Sequence, residues 1–304
     1  MYRKGLATLP NVEALSPLVT RILAQNPGPK TLQGTNTYLV GRHPNVVLID
    51  TGEQDCKKYS DLLQNVVTSS NLSVKSIIIT HWHPDHLGGC HSVRSLLEEN
   101  VNSENISLRL NSADRRNEEI PVYKFPHEYD EKIAPGQKIF PLHDNQILEV
   151  SADCTLKVVH TPGHTEDSIS LHLLEENSLF SGDTILGGSS GDFTNYIQYR
   201  QSLTRLQELG ADTVYPGHGQ VEAGTVVNKY ISHRAGRENQ VLAALRAGEV
   251  QVSVAGLTDK VYENENLHPG LLQSARTIVG LILEKLEVDG SARRTEDGLW
   301  YATG

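Results

Sequence analysis

The sequence predicts an α+β protein: a β-rich core with helices outside it, followed by a small helical module. Two observations carry this. Between residues 15 and 218, short β-branched runs alternate with helical patterns, and one strand after another ends in a side chain able to bind a metal. Near residue 225 the composition changes, and three helical patterns with a terminal hairpin replace the strands. We therefore divide the chain into residues 1–225 and 226–304.

Residues 15–25 read as a strand. Gly34-Thr-Asn-Thr-Tyr-Leu-Val40 and Val46-Val-Leu-Ile-Asp50 read as a hairpin turning over Gly41-Arg-His-Pro, closed by Asp50-Thr-Gly52. An amphipathic pattern predicts a helix over 56–69, and Ile77–Thr80 is a buried strand. Residues 89–100 read as a helix. From 100 to 150 the chain is polar and poorly periodic, with Pro121, Pro126 and Pro135, and reads as a partly looped insertion. Strands follow at Leu156–His160, Ser168–Leu174 and Ser178–Gly182, then a helix over 196–209 and a short strand at Thr213–Tyr215. Beyond 226, helices over 226–247, 253–262 and 269–288 and a hairpin around Glu296-Asp-Gly298 describe a winged-helix-like module. Its third helix offers only Arg276 and Lys285 against Glu284 and Glu287, so a packing or dimerisation lobe is the better reading than a nucleic-acid reader.

The chain is organised around Ile77-Ile-Ile-Thr-His-Trp-His-Pro-Asp-His-Leu-Gly-Gly89. His81, His83, Asp85 and His86 follow directly on a strand signal, and imidazole and carboxylate suit Zn²⁺ and similar metals. Alternate residues of a strand share a face, so a strand end at His81 and His83 would aim both rings one way. Asp85 and His86 would turn to a second position. A loop merely rich in histidine is the plain alternative, and four potential ligands within six residues outweigh it. His164 in Thr-Pro-Gly-His-Thr, Asp183 in Phe-Ser-Gly-Asp-Thr and His218 in Tyr-Pro-Gly-His-Gly each follow an apolar strand through a glycine. Seven ligands suffice for two metals. His81, His83 and His164 are assigned to one, Asp85, His86 and His218 to the other, and Asp183 bridges. Such a pair holds a hydroxide whose pKa is lowered towards neutrality and stabilises charge developing on oxygen. Two Zn²⁺ are expected, and Mn²⁺ or Fe²⁺ suit the same donors.

Composition sets outer limits. A net charge of -10 argues against a large non-specific phosphate-binding surface, though not against a local cleft. No apolar run approaches the ~18 residues of a membrane span, so no membrane partner is expected. Cys56, Cys90 and Cys154 are odd in number and far apart, which predicts free thiols in a reducing compartment. The first thirty residues hold no apolar signal block and make a poor transit peptide, so the chain is expected inside the cell and not secreted.

The motif His-x-His-x-Asp-His with later His, Asp and His resembles that of the metallo-β-lactamase-fold hydrolases, residue for residue at the seven positions above. The resemblance implies an αββα sandwich with two zinc ions between its sheets, and makes Asp50 a residue that orients the site from behind the ligands. Asp183 stands where true β-lactamases of this fold commonly carry cysteine, so antibiotic hydrolysis is a minor possibility. Asn26–Gly41, Thr80–His86, His160–Thr165 and Tyr230-Ile-Ser-His-Arg234 are similar to signatures of the β-lactamase-like protein 2 group. That group implies a zinc-dependent endoribonuclease on single-stranded RNA, mitochondrial in animals. For such a reaction we take Asp85 as a metal holder and as the candidate acceptor of the hydroxide's proton. Related fungal proteins are thioesterases on acyl-carrier-protein thioesters, and acyl-carrier or coenzyme A thioesters are the alternative substrates. An apolar acyl tunnel would favour thioesters; a basic rim with exposed aromatics such as Tyr196 and Tyr199 would favour RNA. A nucleic-acid-binding regulator with an idle metal site is the third reading. Lys30 and Phe193-Thr-Asn-Tyr196 depart from the group's usual residues, and the 100–150 stretch matches poorly.

Overall fold

A computed structural model describes residues 6–104, 119–248, 251–265 and 269–303. The first sheet contains β1 (Val12–Ala14), β2 (Val19–Leu23), β3 (Asn36–Arg42), β4 (Asn45–Ile49), β5 (Ser73–Ile79), β6 (Val122–Lys124) and β7 (Ile139–Pro141), paired in that order. β1 to β4 are antiparallel, and β5 to β7 continue parallel to β4. The helices α1 (Lys57–Ser69), α2 (Pro84–Leu87), α3 (Cys90–Glu104) and α4 (Asp130–Ile133) lie in the connections of this half. The second sheet contains β8 (Ile147–Ser151), β9 (Cys154–His160), β10 (Ile169–Leu173), β11 (Ser178–Gly182), β12 (Thr213–Pro216) and β13 (Glu222–Ala223). Here β11 and β12 are the parallel pair, joined through α5 (Tyr196–Leu209). Asn195 caps the start of α5 by accepting from the Gln198 amide, and Gly210 ends it in the left-handed conformation.

The central strands are apolar on both faces because both faces are covered. Val47, Ile49 and Ile78 point into a core between the sheets, where Tyr38, Phe180 and Tyr215 pack edge to face and tilted. Their neighbours Val46, Leu48, Ile77 and Ile79 point the other way, under α1 and α3. In the second sheet Phe180 and Tyr215 face inwards, while Leu179 and Val214 face a third core beneath α5. A strand buried on both sides reads as a continuous apolar run, which is why Ile77-Ile-Ile was legible. Two sheets face to face with helices on either side are the expected αββα layers.

The tail is α6 (Val226–Arg246), α7 (Val254–Val261), a 3₁₀ turn at Pro269–Leu271, α8 (Leu272–Val288) and the hairpin β14 (Ala292–Arg294) with β15 (Trp300–Ala302). Val252 adds a third rung by exchanging backbone hydrogen bonds with Trp300. These helices share a core with the sandwich: Leu203 and Leu206 of α5 lie in one cluster with Val241, Leu245, Leu283 and Leu286.

Several expectations change. The strand placed at 15–25 begins only at Val19, after a turn at Ser16 and Pro17, and pairs with β1 in front of it. The hairpin strand β3 runs on through Gly41 to Arg42, leaving His43 and Pro44 as its turn. The 100–150 stretch is not an insertion outside the fold. Part of it, residues 105–118, lies outside the described residues, but the rest supplies β6, β7 and β8 to the two sheets. β6 and β7 have three residues each, too short for a period of two to register, and rely on parallel neighbours for their hydrogen bonds.

Because α5 and the tail share one core, urea unfolding should give a single transition. Leu283→Ala, at a fully buried position, should lower stability by about 2–5 kcal/mol without splitting that transition. A separate early loss of tail helicity would contradict this.

Candidate metal centre

β5 stops at Ile79, so His81 and His83 do not share a strand face as expected. They converge because the loop after β5 bends: Pro84 starts α2, and this single helical turn swings Asp85 and His86 to a second position. The rings of His81 and His83 lie 4.7 Å apart and edge to face. His164 arrives on the loop after β9, Asp183 directly after β11, and His218 after β12. All seven predicted donors meet. His81, His83, His164 and Asp183 form one group and Asp85, His86 and His218 the other, with each group's donor atoms within 4.8 Å of one another.

The ring nitrogens show what the pocket is for. His83 Nδ1 lies 3.0 Å from His81 Nε2 and 3.1 Å from His164 Nε2. Two nitrogens bound tetrahedrally at about 2.0–2.1 Å from one Zn²⁺ sit roughly 3.3 Å apart. The far nitrogens settle which atom is free. His164 Nδ1 donates to the Asp192 carbonyl at 2.8 Å; a carbonyl only accepts, so the proton sits there and Nε2 keeps its lone pair. His86 Nδ1 donates to Asp50 Oδ2 at 2.8 Å. Thr80 Oγ1 donates to the same carboxylate at 2.9 Å and accepts from His81 Nδ1 at 3.0 Å. Asp50 also takes the Thr80 amide at 2.8 Å, so one buried carboxylate orients His86 directly and His81 through Thr80. It does so from a positive φ of 60°, a conformation aspartate tolerates better than most residues.

Asp183 spans both groups. Its Oδ2 lies 3.6 Å from His164 Nε2 and 3.3 Å from His218 Nε2. Its Oδ1 is buried without a hydrogen bond, with His86 Nε2 at 3.5 Å. A carboxylate oxygen buried without a partner among imidazoles fits a cation. Gly217 is required here, since a Cβ at that position would stand 2.3 Å from Asp183 Oδ1.

The charges differ between the two positions. Burial, reinforced by the neighbouring imidazoles, pushes His81 well below the ordinary histidine value and His83 down to about 4. Both are therefore neutral and ready to bind. Burial also opposes protonation of His86 and His218, but carboxylates outweigh it: Asp85, Asp183 and Asp50 raise His86 to about 9, and Asp183 with Asp85 raises His218 to about 10. Asp85 and Asp183 are held low despite burial, by His86 and His218.

Sequence reasoning did not single out Thr80, Thr35 or the Asp192 carbonyl. Thr35 Oγ1 donates to Asp85 Oδ2 at 3.2 Å, and Asn36 ties β3 to the His218 loop through the Pro216 and Gly219 carbonyls. The Gly34-Thr-Asn-Thr signature held that signal. The backbone oxygen of Asp192 had none.

Donors gathered in this way from the ends of two facing sheets make the protein one of the metal-dependent hydrolases. Residues 31–218 match the metallo-beta-lactamase superfamily, and the chain belongs to that superfamily. It is 40% identical over 282 residues to a beta-lactamase-like protein 2 homolog of Caenorhabditis elegans, covering 92% of this chain and 87% of the relative. It is also 31% identical over 312 residues to an atrochrysone carboxyl ACP thioesterase of Aspergillus aculeatus, covering 98% of this chain and 90% of that one. A beta-lactamase domain protein from Burkholderia ambifaria has the same fold, with a TM-score of 0.74 at 19% identity over 97% of this chain and 95% of its own.

His86 and His218 hold protons at pH 7 in the metal-free protein, so loading with Zn²⁺ should release protons. Apparent affinity should rise with pH until these groups deprotonate near pH 9 and above. Calorimetric titration in two buffers of different ionisation enthalpy reads the proton count; binding at pH 7 without proton release would contradict the assignment.

Proposed function

We propose that this hydrolase is an endoribonuclease cleaving single-stranded RNA at a site of two metal ions, with Zn²⁺ expected and Mn²⁺ or Fe²⁺ suited to the same donors. The reading assigns His81, His83 and His164 to one ion, Asp85, His86 and His218 to the other, and Asp183 to both. When bound, such a pair lowers the pKa of water and stabilises charge on a phosphoryl oxygen. Water then adds across one P–O ester bond: its oxygen to phosphorus, and one proton through Asp85 to the departing alkoxide. Asp85 is placed for that duty: its carboxylate lies beside His86 and His218, and Thr35 Oγ1 donates to Oδ2 at 3.2 Å and fixes its orientation.

The observation that favours RNA is an aromatic wall at the mouth of the centre. Trp82 stacks on His127 with ring centroids 5.6 Å apart and planes 8° from parallel, and Tyr129 meets Trp82 at 4.8 Å. Tyr129 is 39% exposed, Lys132 Nζ lies 5.4 Å from its ring, and Trp82 sits 4.6 Å from the His83 ring. Stacking on such a wall contributes about 1–3 kcal/mol per base. The aromatics expected for this duty do not perform it: Tyr196 and Tyr199 are buried in the third core, where Tyr199 donates to the Thr184 carbonyl. Mitochondrial residence, implied by the resemblance, belongs to the same reading.

Hydrolysis of acyl-carrier-protein thioesters is the second reading, favoured by the near full-length likeness to the Aspergillus thioesterase. We read residues 226–304 as a packing lobe and not as a reader of nucleic acid. Of the two cationic side chains expected on its third helix, Lys285 is engaged by Glu238 and Asp289.

Zinc-loaded protein, assayed side by side on single-stranded RNA and on acyl thioesters, should cut the RNA. Asp85→Asn should lower the rate by about 10²-fold or more and Trp82→Ala should raise KM. Thioester turnover with RNA left intact would sink the RNA reading and leave the second.

A further inference from the structure

We propose that Tyr230 and Arg234 of α6 are positioning residues for the metal centre, acting through the segment 184–195 on His164. The inference holds for either substrate. It assigns the tail a role in building the site.

The segment begins immediately after Asp183 and ends at the cap of α5, so a metal donor stands at its start. Its far half holds another donor in place. Asp192 offers the carbonyl that accepts from His164 Nδ1, and Thr194 donates its amide to the Gly163 carbonyl at 2.7 Å and its hydroxyl to the His164 carbonyl at 3.1 Å. The path of residues 184–195 therefore fixes both the tautomer and the aim of His164.

The near end of that path is held by the Tyr199 hydroxyl on the Thr184 carbonyl and by the Gly187 amide on the His218 carbonyl, and α6 holds the rest. The Tyr230 hydroxyl accepts from the Leu186 amide at 2.9 Å and donates to the Ser189 carbonyl. One turn on, Arg234 Nη2 donates to the Gly191 carbonyl at 2.5 Å, one residue before the oxygen that holds His164. The guanidinium lies 4.9 Å from the Phe193 ring and 5.4 Å from the Tyr199 ring, clamping the end of the segment onto α5.

The chemistry of Arg234 argues against filler. It is 3% exposed, its Nε has no hydrogen bond, and among the described residues no carboxylate pairs with it. Burying a guanidinium on carbonyl and aromatic contacts alone is costly, and an apolar side chain would fill the same volume at less cost. An apolar side chain would not hold Gly191.

The test compares full-length Arg234→Met, Arg234→Lys and Tyr230→Phe with the parent, each loaded with Co²⁺. Circular dichroism and Tm report folding. Retention of each equivalent against a chelator, followed by metal content and by the Co²⁺ absorption spectrum, reports the centre. Folded Arg234→Met should lose one of its two equivalents about 10–100-fold more readily, with the spectral change confined to that equivalent. Tyr230→Phe should change in the same direction, and Arg234→Lys, which keeps a donor towards Gly191, should lie between Met and the parent. Folded variants that keep both equivalents as tightly as the parent overturn the proposal. So does loss of both equivalents together, the mark of general loosening. If Arg234→Met does not fold, Tyr230→Phe and Arg234→Lys decide. The readout is metal retention, so failure to cut RNA leaves it standing.

Discussion

Three imidazole nitrogens about 3 Å apart, two of them with free lone pairs, are spaced to share one cation. His83 Nδ1 faces His81 Nε2 and His164 Nε2 in this way, and much of the fold can be understood as what holds that arrangement in place. The far nitrogens of His81, His86 and His164 are each tied to an oxygen that decides where the proton sits. Asp50 does this for His86 and, through Thr80, for His81, while the Asp192 carbonyl does it for His164. Burial adds to the effect by keeping His81 and His83 neutral.

The two positions are built differently. One contains His81 and His83, both kept neutral by burial, beside His164. The other pairs His86 and His218 with Asp85 and Asp183, so protons stand in for positive charge when metal is absent. Asp183 touches both. Its Oδ1 lies so close to the Gly217 backbone that no side chain fits at that position. The sheets supply rigid ends for these loops, and the tail is packed into the same core that supports the loop following Asp183, which holds His164.

Legibility followed chain proximity. His81, His83, Asp85 and His86 stood out because they are crowded into a few residues after an apolar run. His164, Asp183 and His218 were weaker, each a single ligand behind a glycine, and gained meaning only as a set. The strands of both sheets were legible where both faces are buried, as at Ile77-Ile-Ile79. β6 and β7 were not, because three residues carry no measurable period and their pairing is supplied by distant strands. Tyr196 and Tyr199 looked available for stacking because helical spacing does not say which face is covered. Trp82 and His127 are forty-five positions apart, and nothing local announces that they stack.

By itself the sequence determined the class of chemistry. Donor identity is a property of side chains, and seven donors behind strand ends imply metal-activated water whatever the exact fold. Tertiary structure alone decided the nitrogen each histidine presents and which aromatic side chains stand beside the centre rather than in the core. These depend on distances of a few ångströms between residues far apart in the chain. Such distances are set by sheet register, by loop paths such as 184–195 and by burial, none of which a local pattern encodes.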